Sequence, residues 1–130
     1  MAASLAIALT ACGGPDVPNE NTLALCDAVP EALERMQSQR ERLTGAGFRE
    51  NVQPMVMDTY DFLHPVFELA ERAASEDREG EFWTIGGAVR GGWFAYVNMD
   101  TLDQRQAYMD YSDAIQWLYR ADKECSQLEV

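Results

Sequence analysis

Positive charge is scarce in this chain. Ten lysines and arginines stand against 22 aspartates and glutamates, for a formal net charge of −12. Phosphate backbones are held by clustered Lys and Arg, so the balance argues against a nucleic-acid partner. It also argues against a basic patch laid on an anionic bilayer. The plain consequence of such acidity is solubility. Histidine is scarcer still, with His64 alone, so a nucleophile-base set would have to be built on that one side chain. No GxSxG segment occurs, and no Glu-x-x-His pair of the kind that lines di-iron bundles. Gly86-Gly87-Ala88-Val89-Arg90-Gly91-Gly92 is rich in glycine, yet it lacks the lysine and the strand-to-helix setting of a phosphate loop. No CxxC is present, so neither a dithiol redox motif nor c-type haem attachment is indicated. Long apolar runs are missing too. A spanning helix needs about 20 such residues, and Arg90 interrupts the most apolar stretch after the N-terminus. Catalytic residues, resident metal and cofactor are therefore all expected to be none.

What remains is enough for one folded domain. The chain has 130 residues and is 47% hydrophobic, too apolar for disorder and long enough for a real core. Its first ten residues include the apolar run Ala2-Ala3-Ser4-Leu5-Ala6-Ile7-Ala8-Leu9. The run ends in Leu9-Thr10-Ala11-Cys12 and opens onto Gly13-Gly14-Pro15. A leucine, two small residues and a cysteine at the end of an apolar segment resemble the lipobox of bacterial lipoprotein signals. A thiol is the best acylation nucleophile available, and small residues before it let an extended backbone enter a processing site. The resemblance implies removal of residues 1–11 as a signal peptide and acylation of Cys12 as the new N-terminus. It also implies anchoring to a membrane of the cell envelope, facing the periplasm or the exterior. Such signals open with a basic residue; none occurs before Arg35, so the true start is expected upstream of Met1. The competing reading is a buried N-terminal helix in which Cys12 is a small apolar residue. That helix would have to stop at Gly13-Gly14-Pro15 after one or two turns.

Once Cys12 is assigned to lipid, Cys26 and Cys125 are left as a pair. An exported chain meets an oxidising compartment, where such pairs persist as disulfides. Residues 12–21 have two prolines and no apolar period, and read as lipidated cysteine plus tether. Residues 22–130 form the domain.

Four helical periods follow. Over residues 22–44, Leu25, Val29, Leu33, Met36 and Leu43 share a face with Cys26 at its edge. Asp27 is expected to cap a restart with Pro30 in its first turn, Gly45 and Gly47 to stop the helix, and Arg40 to be paired or snorkelling on the stripe. Over residues 54–75, Val56, Tyr60, Leu63, Phe67, Ala70 and Ala74 form the stripe. Pro54 is expected in the first turn, and Pro65 should kink the helix. Over residues 81–98, Phe82, Ile85, Val89, Trp93 and Tyr96 fall on one face. Gly86 and Gly92 flank it, where a neighbouring helix can come close. A hairpin or glycine-bearing loop is the alternative here. Over residues 101–125, Asp100 is the expected cap, and Ala107, Tyr111, Ala114, Ile115, Leu118 and Cys125 form the stripe.

The expected fold is all-α: an antiparallel up-down-up-down four-helix bundle with a kinked second helix and one disulfide staple. In that topology the start of the first helix and the end of the fourth meet, which brings Cys26 to Cys125.

Two constellations lie off these stripes. Asp58, Asp61, His64 and Glu68 share a side of the second helix at spacings that suit a divalent ion, but the side faces away from the core and reads as solvated. Trp83, Arg90 and Phe94 share a flank of the third helix, and Trp117 lies off-stripe near Asp110 and Asp113. Aromatics with arginine are enriched at the energetic centres of interfaces. They also fit a second buried face, with Arg90 paired to a carboxylate. The functional expectation is a non-catalytic envelope lipoprotein whose helical domain contacts another envelope protein. The alternative is a ligand-binding or sensing lipoprotein with a pocket near Trp83, Arg90 and Trp93.

Overall fold

The computed structural model describes residues 20–76 and 83–128. Among them are four α-helices and no strand: α1 (Glu20–Arg40), α2 (Phe48–Glu76), α3 (Trp83–Val97) and α4 (Gln104–Ser126), with a 3-10 turn over Glu41–Leu43. The helices form an antiparallel bundle. α1 packs on α2, α2 on α3, α3 on α4, and α4 closes back on α1, while the diagonals barely touch. The residues expected to form a lipobox and most of the expected tether (1–19), together with residues 77–82, which include Phe82, lie outside the described residues.

Three of the four periods become inner faces as expected. Leu25, Val29, Leu33, Met36 and Leu43 are buried, as are Ile85, Val89, Trp93 and Tyr96, and Ala107, Tyr111, Ala114, Ile115 and Leu118. Cys26 and Cys125 are bonded, with Cα atoms 5.5 Å apart. The bond joins the first turns of α1 to the last turn of α4. At the opposite end the Gln104 side-chain amide stitches the two short loops together. It donates to the carbonyl of Leu43 at 3.0 Å and to that of Gly45 at 2.8 Å. Gly45 has φ +80°, a left-handed conformation that a side chain would strain. It is the stop expected after α1.

Three expectations about helix ends need correction. α1 does not restart at Asp27: it runs unbroken from Glu20 through Pro30. α2 begins at Phe48, not at Pro54, and it is continuous through both Pro54 and Pro65. All three prolines are exposed. Each removes one backbone bond, but buried neighbours on both sides hold the helix in register. In α2 these are Phe48, Val52 and Met55, an i, i+4, i+7 set that extends the packed face a turn and a half upstream. The cap of α4 is Asp103, not Asp100. Its Oδ1 accepts from the Gln106 amide at 3.0 Å, satisfying one of the free N–H groups of the first turn. Asp100 instead shapes the preceding loop, accepting from the Leu102 amide at 3.0 Å.

The buried face of α2 is also rotated from the expected stripe. Leu63, Ala70 and Ala74 of that stripe are buried and Val56 and Phe67 pack half-buried against the core, but Tyr60 is 47% exposed, and Val52, Met55, Thr59, Val66 and Ala73 are buried beside them. Thr59 tips the balance. Its hydroxyl lies 2.8 Å from the Tyr111 hydroxyl and 3.5 Å from the Met55 sulfur, so a polar side chain enters the core with its hydrogen bonds made. Arg40 is half-buried, as its place on the α1 stripe requires. Its guanidinium lies 5.6 Å from the Tyr108 ring centroid, and Nη1 donates to the Ser112 hydroxyl at 3.4 Å.

The buried phenols make the fold sensitive to alkali. Burial, with smaller effects from Tyr60 and Asp61, pushes Tyr96 up to about 12. Burial pushes Tyr111 higher still, against the opposing hydrogen bond from Thr59. Both native values lie above the ordinary tyrosine value of about 10. Between the two values the unfolded chain binds fewer protons than the native one, so stability falls as pH rises. The domain is expected to keep this contribution in full below pH about 10 and lose it progressively above. Urea midpoints measured across that range check it. A flat profile would mean that the phenols reach solvent in the native state.

Candidate functional site

The residues singled out beforehand do not form one cluster. Arg90 and Phe94 turn towards α2: Arg90 Nε lies 3.1 Å from a Glu71 carboxylate oxygen, and Phe94 meets Phe67 edge-on at 6.2 Å between centroids. The expected carboxylate partner of Arg90 is therefore present. Phe94 remains 48% exposed. Trp117 is on α4, where its indole packs against α3 at Gly91. The side chain of Trp83 lies outside the described residues.

Trp93 is packed among aromatic rings. Trp93 is 8% exposed and stacks on Phe67 at 4.9 Å. His64 and Tyr60 tilt against it at 5.3 and 5.7 Å, and Tyr96 at 5.4 Å. Trp93 acts as the hub of an aromatic layer that seals α2 to α3. Tyr96 continues the seal, donating its hydroxyl to the Val56 carbonyl at 2.7 Å.

The carboxylates of α2 are dispersed. Asp58 accepts from Arg42 at 2.7 Å. His64 stacks on Tyr60 at 4.8 Å, with Nδ1 3.5 Å from Glu68. Among the described residues no three metal-ligating side chains converge. A shallow hollow of about 570 Å³ between α1 and α2 includes Glu31, Glu34, Asp58, Asp61 and Phe62. It has Arg35 in its wall, already paired with Glu31 at 3.3 Å.

A second groove, of about 500 Å³, runs along α4 beside α3. Its lining includes Asp113, Gln116, Trp117, Arg120 and Lys123, with Ala95 across from them. Glycine makes its inner wall possible. A Cβ at Gly91 would stand 2.7 Å from the indole of Trp117, so the bare backbone of α3 takes the indole. The Arg120 guanidinium lies 5.6 Å from the centroid of the same ring. Trp117 is thus fixed between a glycine and an arginine while remaining 37% exposed. The groove was legible only in part. Its α4 residues follow helical spacing on the polar side of that helix, but Gly91 and Ala95 carry no signal of which neighbour they will meet.

Comparisons with protein-family models, with curated proteins and with solved structures find no match to this chain.

Proposed function

We propose that the protein is a small bacterial envelope lipoprotein, anchored through acylated Cys12, whose helical domain acts by contacting protein rather than by catalysis. The observation that carries this reading is the division of the three cysteines. Cys26 and Cys125 are joined, which leaves Cys12, at the end of Leu9-Thr10-Ala11-Cys12, for lipid. A disulfide suits an oxidising compartment, as export through such a signal requires. The geometry is consistent with a tether, because α1 begins at the bridged end of the bundle. No described helix is long and apolar enough to cross a membrane, so in this reading the acyl chains do the anchoring. The half-exposed aromatics Phe94, Trp117 and Tyr119 supply contact surface of the type that partners use. His64, the single histidine, stacks on Tyr60 and lies beside Glu68.

Mass spectrometry on the chain extracted from its own membrane tests the anchor. The expected mass is that of residues 12–130 plus acyl groups, heavier by two hydrogens after reduction. An unmodified chain that still begins at Met1 would overturn the reading and its localisation together.

A further inference from the structure

The solvent side of α4 carries a symmetric charge pattern. Asp113 and Arg120 are two helical turns apart and so lie on one line along the helix. Asp110 lies about one turn beyond the first and Lys123 about one turn beyond the second. Signs therefore reverse about a point between Gln116 and Trp117, each acid on one side matching a base at equal distance on the other. Three arginines elsewhere in this acidic chain are taken up by carboxylates: Arg35 by Glu31, Arg42 by Asp58 and Arg90 by Glu71. Among the described residues, Asp113, Arg120 and Lys123 make no such pair. They line one groove with Trp117 at its middle. Asp110 is held by Gln106 at 2.8 Å and by the Asp100 amide at 3.0 Å, which fixes the outer carboxylate in place.

We infer that a second copy of this chain occupies the groove, its α4 running antiparallel across a two-fold axis between Gln116 and Trp117. A two-fold interface needs a self-complementary surface, because if one residue meets another the reverse contact is made as well. Asp113 then faces the partner's Arg120, Arg120 faces the partner's Asp113, and the Asp110–Lys123 pairs lie outside them. Trp117 and Ala95 form the apolar centre. The charges set register and orientation rather than most of the affinity. A parallel pairing would place Asp113 on Asp113, which a chain of net charge −12 is poorly placed to tolerate. The bridged ends of the two copies lie at opposite ends of the pair. The inference goes beyond the lipoprotein reading and does not require the anchor.

Sedimentation of the full chain tests it, with Cys12→Ser in every sample so that neither acyl groups nor a spare thiol links copies. The expected result is a reversible dimer that weakens with salt. Asp113→Arg and Arg120→Asp are each expected to abolish it. Mixing the two variants should restore association, since every acid again faces a base, and damaged folds would not recover on mixing. A chain that stays monomeric at all concentrations overturns the proposal. So does a dimer indifferent to both reversals, or a mixture that fails to associate. None of these outcomes touches the mass of the membrane-extracted chain, so the two readings fail separately.

Discussion

Replacing Cys26 and Cys125 together by serine is expected to lower stability by about 4–5 kcal/mol, because the bond closes a loop with a sequence separation of 99 and loop-closure entropy scales with its length. For a domain of this size that is a fall in Tm of roughly 20–30 °C. The double substitution is the cleaner test, since a single one leaves an unpaired thiol. Both cysteines are half-buried beside the core, so small polar replacements leave little cavity and the effect reports mainly on the unfolded chain. Thermal melts of the oxidised, reduced and substituted protein should fall into two groups, the reduced chain melting with the variant. A shift of only a few degrees would mean that packing alone holds the ends of α1 and α4 together, and that the unfolded chain is already compact.

Gly92→Ala is expected to destabilise by about 1–3 kcal/mol, while Gly87→Ala stabilises by about 0.5–1 kcal/mol. Alanine is ordinarily the better helix former, and at Gly87 nothing opposes it: a Cβ there meets no atom within 4 Å. At Gly92 a Cβ would collide with the Leu118 methyl and stand 3.2 Å from the Ala114 carbonyl and 3.3 Å from the Trp117 Cβ. Leu118 is fully buried and cannot swing aside, and a carbonyl belongs to the helix itself. The intrinsic gain is outweighed by overpacking across the α3–α4 seam. Urea unfolding of the two variants decides the matter. A gain at both positions would show that α3 can slide away from α4, and that the glycines are not what brings the two helices together.

The helical faces were readable because burial repeats at 3.6 residues in three of the four helices with little interference. α2 misled for a specific reason. Thr59 looks polar and Tyr60 looks apolar, yet the tyrosine faces outward and the threonine inward. The Tyr111 hydroxyl, 52 positions away in the chain, helps make a buried threonine acceptable. Pro54 misled in a similar way. A proline is at home in a first turn, but Phe48, Val52 and Met55 pack well enough to carry the helix past it. Asp100 and Asp103 are both suitable caps, and the choice falls to Asp103 because Asp100 already holds the loop. The pairing of Cys26 with Cys125 was legible because setting Cys12 aside leaves only these two, and the expected topology brings their helix ends together. Of the candidate site residues, Arg90 and Phe94 were recognised as one flank, but the split between them and Trp117 depends on which glycine meets which ring. Spacing within a single helix does not contain that information.

The bridge also decides how the molecule bears load. Cys26 lies close to the start of α1, and the bond passes from there directly to the last turn of α4. A pull between the N-terminal segment and the C-terminus is therefore carried by a covalent short circuit, and the residues between the two cysteines feel none of it. Only the chain outside the bond can lengthen. Once the bond is reduced, the same pull draws on a separation of 99 residues, about 350 Å of extended chain. The oxidised domain is thus a taut link, and the reduced one a slack line of bundle-unravelling length.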